Sequence, residues 1–265
     1  MRHLYIFIIA LTGLLTFEQA AISQPEAKVT VIGLSGRAEY MKSGKTEWVR
    51  LKSGRRLGSG DNVRTYKKAS VDIAFDSDGH NVVSIKENTH VVLKLEKNEK
   101  INLIDGEVFA LVKALEAGSQ FEIRTPTAVC GARGTGWGAD ADGNKTTVSA
   151  YEKDSYAKGL DKNGNPAEDN MIVRQGFRTT VKRLEKPSRL IKISERDMKR
   201  WGSWKDELAS RFSGKRTARA ARMAERIDRM EAKTERAEEM RDEERIESKE
   251  EKAAQSKQRE PHYEY

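Results

Sequence analysis

The sequence predicts a mainly β protein, a compact solenoid- or sandwich-like domain followed by a long charged C-terminal α-helix. Two observations carry this. From Lys28 to about Val181 short segments alternate apolar and polar residues and are cut by Gly, Asn, Asp and Ser turns. From about Glu185 the alternation gives way to helical spacing, and Arg216 to Ala254 is rich in Ala, Glu, Arg, Lys and Met, all strong helix formers. The chain has 265 residues, 37% hydrophobic and 34% charged, which suits one moderate core plus a segment that buries little.

The N-terminus reads as a secretory signal peptide over 1–23. Arg2 and His3 precede an apolar run from Leu4 to Phe17, and Ala21-Ile22-Ser23 offers a cleavage site ahead of Gln24. The run is short for a bilayer span of about 20 residues. This places the protein in the periplasm or outside the cell and removes nucleic acid as an expected partner, although the net charge of +8 favours anionic surfaces. Cys130, the one cysteine, sits among Ala128, Val129 and Ala132, so burial is expected rather than disulfide pairing.

Strands are expected at Val71 to Phe75, at Val83 to Ile85, through Val91, Leu93 and Leu95, at Ile101 to Leu103, at Val108 to Val112, at Phe121 to Arg124 and at Thr146 to Tyr151. The β domain spans 28–183. In the next segment, 186–213, Met198, Trp201, Trp204, Leu208 and Phe212 make one helical stripe expected to dock on the β domain. Ser213-Gly214 is expected to interrupt that helix. A charged helical tail, 215–256, and a disordered end, 257–265, complete the chain. In the tail Met223, Ile227, Met230, Ala237 and Met240 form an apolar seam too thin for a stable coiled coil. Its charge is polarised, with six basic and two acidic residues from Lys215 to Arg229 but ten acidic and five basic from Glu231 to Glu251, which would suit antiparallel self-association.

Short motifs occur in a consistent order: Trp48, Leu51 and Leu57; Gly60-Asp61-Asn62-Val63-Arg64-Thr65; Ala69 to Ile73 before the Asp78-Gly79 turn; Asn88-Thr89; Ile101 to Leu103; Gly106-Glu107-Val108; Phe121 to Val129 with Thr125-Pro126; and Ala132-Arg133-Gly134-Thr135. In this order and over most of the domain, the chain resembles the FecR domain family, the periplasmic module of iron-siderophore sensor and regulator proteins. The resemblance implies an all-β module used for protein contact and signal relay, without a catalytic residue. Trp48, Gly60, Asp61, Arg64, Thr65, Gly79, Gly106, Thr125, Pro126, Arg133, Gly134 and Thr135 are its motif residues. The residues themselves suggest structural roles: Asp61 caps amides at the Gly60 turn, Thr125 before Pro126 is held extended, and Arg133 satisfies carbonyls or a carboxylate such as Asp61.

No enzymatic site, metal site or cofactor is expected. His80 and His90 are the only histidines inside the domain, and neither has spacing that suggests work with Cys130. Three Asp-rich turns, starting at Asp76, Asp140 and Asp161, do not combine the sixth-position Gly with the twelfth-position Glu of a calcium loop and read as β-turns. The leading expectation is an exported, non-catalytic binding or scaffold module of the bacterial envelope, with an envelope protein as partner. Two others stand beside it: a FecR-type signalling regulator anchored by its N-terminal run, and a binder of cell-wall polymers.

Overall fold

The computed structural model describes residues 28–257 apart from 114, 116, 117 and 133. The expected signal peptide, Arg133 and the end of the chain beyond Lys257 therefore lie outside the described residues. The strands are β1 (Lys28–Ser35), β2 (Ala38–Met41), β3 (Trp48–Arg50), β4 (Arg56–Gly58), β5 (Asn62–Thr65), β6 (Ser70–Ala74), β7 (Asn81–Ile85), β8 (His90–Leu93), β9 (Glu99–Val112), β10 (Phe121–Arg124), β11 (Ala128–Ala132), β12 (Gly136–Ala141), β13 (Lys145–Glu152), β14 (Ser155–Gly159), β15 (Met171–Val173), β16 (Phe177–Lys182) and β17 (Ile191–Lys192). One helix follows, α1 (Glu195–Lys257). The protein is mainly β, as the period-two spacing predicts.

Pairing sorts these strands into two sheets. The first runs β4-β1-β6-β7-β9-β12-β13-β16-β17. The second runs β3-β2-β5-β8-β9-β10-β11-β14-β15. β9 belongs to both. Ile101 to Asp105 pair with β8 in the second sheet, and Val108 to Val112 pair with β7 in the first. The two strands expected at Ile101 to Leu103 and Val108 to Val112 are thus one strand of 14 residues. Gly106 lies where it changes sheets, at φ +95°, a conformation that costs glycine little and other residues much. The expected strand through Leu95 stops at Leu93 instead, because Leu95 takes φ +51°.

Alternation explains the interior. Val31, Ile73, Val83 and Val148 of the first sheet meet Val63, Val91, Ile101 and Ile123 of the second in one core with Trp137, all fully buried. Cys130 joins this core, where its thiol reaches the Ile123 carbonyl at 3.5 Å and burial raises its pKa. The first sheet is apolar on its other face too. Ala74, Val82, Phe109, Leu111 and Tyr151 point outward and are buried beneath α1 by Trp201, Trp204, Leu208 and Phe212. That spacing of three, four and four residues forms one helical stripe. Met198, expected on it, is 37% exposed.

Ser194 starts the helix: its hydroxyl accepts the Asp197 amide at 3.1 Å, and Glu195 and Asp197 place negative charge in the first turn. The expected break at Ser213-Gly214 does not occur. The helix continues through both residues, since an isolated glycine costs only about 1 kcal/mol in a helix with strong formers on either side. Beyond it Met223, Ile227, Met230 and Met240 are exposed. Within this stretch Glu225 pairs with Arg229 at 2.6 Å, one turn apart.

Candidate functional site

The motif residues do not converge on one point. Gly60 and Asp61 lie at a turn where the Asp61 carboxylate, 1% exposed, accepts the amides of Ser43 and Gly58, each at 2.9 Å, and pairs with Lys42 at 3.1 Å. Thr65 carries its hydroxyl to the Thr89 amide at 3.0 Å and to the Lys86 carbonyl. Thr125 and Thr127 share the Thr146 hydroxyl at 2.7 Å, a buried threonine cluster around the Pro126 bend between β10 and β11. Thr135 is buried and its carbonyl accepts the Val112 amide at 2.9 Å, next to Gly134. Gly79 lies under the Phe212 ring of α1, so the Asp78-Gly79 turn is part of the helix seat.

Trp48 and Arg64 do come together, on the outer face of the second sheet. The Arg64 guanidinium lies 4.0 Å over the Trp48 ring and pairs with Glu39 at 2.6 Å, while Trp48 meets His90 edge-on at 5.7 Å. Glu39 also accepts from Arg37 at 2.7 Å and from the Tyr66 hydroxyl at 2.8 Å.

Residues 61–153 match the FecR protein family. No curated protein matches the chain. Among solved structures, it is similar to a candidate anti-sigma factor from Parabacteroides distasonis, at 17% identity and a TM-score of 0.38, over 51% of this chain and 59% of that one. A second crystal structure of a candidate anti-sigma factor from that organism gives 18% identity and a TM-score of 0.34, over 45% and 53%. The chain spans little more than half the length of these relatives.

On this outer face the hydrogen bonds from Arg37, Arg64 and Tyr66 hold the Glu39 carboxyl down at about 2, against an ordinary 4.5. A carboxyl depressed on folding stabilises fully above its unfolded value and loses that contribution as pH falls from about 4.5 to 2. Urea melts across that window are expected to show a steep loss of stability, and Glu39→Gln is expected to be weaker at neutral pH with a flatter acid slope. An unchanged slope would mean Glu39 is not the group responsible.

Sequence reasoning missed a second constellation, at the seam between the first sheet and α1. Phe109, Tyr151, Trp201 and Trp204 pack as an aromatic cluster, with Tyr151 and Trp201 stacked at 4.7 Å and 5° and Trp201 meeting Trp204 at 5.0 Å. Asp72, 7% exposed, accepts the Trp204 indole N–H at 3.1 Å and pairs with Arg211 at 2.7 Å. Arg200 pairs with Glu107, and Lys205 with Glu152 at 2.5 Å. Lys86 places its ammonium 4.3 Å over the Phe109 ring and 5.1 Å from that of Trp204. Burial lowers it to about 8, opposed by the nearby Asp72 and Glu107 carboxylates. The available signal was Asp72 and Lys86 at outward positions of an otherwise apolar sheet, opposite a helix carrying Arg200 and Arg211.

The aspartates of the three expected turns are engaged locally. Asp76 accepts the amides of Asp78, His80 and Asn81, Asp142 those of Asn144 and Lys145, and Asp161 those of Asn163 and Asn165. Among the described residues no group of three His, Cys, Asp or Glu side chains could hold a metal ion.

Proposed function

We propose that the chain is an exported, non-catalytic module of the bacterial envelope, whose two sheets stack as a sandwich-like FecR domain and whose long charged helix braces one side. The observation that carries this reading is the unequal use of the two outer faces. α1 covers that of the first sheet, whereas that of the second keeps Trp48, Arg64, His90, Ile104 and Tyr156 partly or fully accessible. A face with aromatic and guanidinium groups held in place by Glu39 has the composition of a protein-binding surface. The FecR match at 61–153 supports the regulatory setting.

The anchored regulator remains the rival, since the same match favours it. None of the helices described is long and apolar enough to cross a membrane. Mass spectrometry of the mature chain, with a photo-crosslinker placed at Trp48 and a control at Asn170, tests the proposal. The expected result is an N-terminus at Gln24 in the envelope fraction and a discrete protein adduct from position 48 alone. A retained leader would transfer the reading to the anchored regulator. Cytosolic protein, or equal adducts from both positions, would overturn the binding-module reading.

A further inference from the structure

A recess of about 640 Å³ opens where α1 crosses the edge of the aromatic seam, lined by Lys68, Ala69, Ser70, Lys86, Glu87, Phe109, Arg196, Lys199, Arg200 and Ser203. Five of these side chains are cationic and one is acidic. Glu87 is engaged by the Lys68 backbone amide at 2.6 Å, and Arg200 by Glu107 and Asp197. Lys68, Arg196 and Lys199 form no ion pair among the described residues.

The placement of these charges is what makes the recess a site. Lys68 and Lys86 come from the β domain, and Arg196, Lys199 and Arg200 from the first two turns of α1. Packing of the aromatic cluster therefore brings like charges from both sides together. Their repulsion opposes docking, and a concave wall with an apolar floor at Phe109 and Ala69 strengthens their field. Nearby acids relieve it only in part: Glu107 and Asp197 pair with Arg200, and Asp72 and Glu107 favour the charged Lys86, but Asp72 is shared with Trp204 and Arg211 and Asp197 with Arg178, and none of these acids pairs with Lys68, Arg196 or Lys199. The Ser70 and Ser203 hydroxyls add neutral donors beside the cations. Several separated cations with hydroxyl donors suit a compact ligand with more than one phosphate group better than a single carboxylate.

We infer that this recess is a binding site for a compact multivalent phosphate compound, which bridges the β domain and α1 and holds the helix down. Such a ligand neutralises the clustered cations and so raises the stability of the docked helix, by an amount that grows with the logarithm of its concentration once that exceeds Kd.

Trimetaphosphate, a ring trianion of recess size, is the probe for titration calorimetry and thermal melting of the full chain. One saturable site per chain and a rise in melting temperature are expected. Arg196→Gln with Lys199→Gln removes two exposed helix cations, and is expected to weaken binding by at least about tenfold. Lys162→Gln with Lys186→Gln removes the same charge elsewhere and is expected to leave it unchanged. Cardiolipin vesicles, whose headgroup carries two phosphates, would identify a lipid headgroup as the source if they displace the probe, and would leave a soluble phosphate compound if they do not. Absence of saturable binding, or equal weakening by the two double variants, would overturn the proposal.

Discussion

Trp204→Ala is expected to destabilise the full chain by about 3–5 kcal/mol, the usual cost of truncating a buried tryptophan. Trp204 is 7% exposed and packs against Trp201 at 5.0 Å and Phe109 at 5.8 Å. Its loss removes the filler between α1 and the first sheet and strips Asp72 of its indole donor, leaving a buried carboxylate served by Arg211. The consequences should be local as well as global. Amides of the first helical turns should exchange with solvent far sooner in the variant, and the near-ultraviolet signal of the aromatic cluster should collapse. Met223→Ala, on an exposed stretch of the same helix, should change stability by less than about 0.5 kcal/mol. A Trp204→Ala chain as stable as the parent would show that the helix is not seated on the sheet.

Gly106→Ala is the second large effect. Glycine here has φ +95°, and a Cβ would stand 2.3 Å from the Thr89 hydroxyl and 2.6 Å from its Cα, so backbone as well as side chain blocks it. Strain at a forbidden backbone angle and overpacking each cost about 1–3 kcal/mol. A combined loss of about 3–5 kcal/mol, read from denaturant melts, is therefore expected. Gly143→Ala serves as the comparison. It also has a positive φ but nothing within 4 Å of the added carbon, so it should lose only the backbone part. Equal losses in the two variants would mean that the contact with Thr89 contributes nothing.

Much of this architecture was legible in the chain because alternation is a local signal. Val71, Ile73, Val83, Val91 and Ile101 each announce a strand with one buried face, and each is fully buried. The helical stripe from Trp201 to Phe212 is legible for the same reason. What a single chain hides is which strands share a sheet. The Ile101 and Val108 runs looked separate because Asp105-Gly106-Glu107 resembles a turn, whereas the residues continue as one strand between two sheets. Consecutive apolar pairs such as Val82-Val83, and the run Phe109 to Val112, are the trace of a sheet buried on both sides. The cationic recess was illegible because Lys68 and Lys86 lie more than a hundred residues before Arg196 and Lys199, and only docking brings them together.

The shared strand β9 has a bearing on damage. Strands β1 to β8 fill one flank of both sheets and β10 to β17 the other, so a single protease nick between Val112 and Phe121 would divide the protein into two halves, each holding one flank of both sheets. The piece ending in β9 would expose unpaired backbone along that strand in both halves of its length, a template for another copy's complementary fragment. Nicked material should therefore stay together as a non-covalent pair under native conditions. Once its halves are parted, it should exchange partners or aggregate rather than persist as soluble fragments.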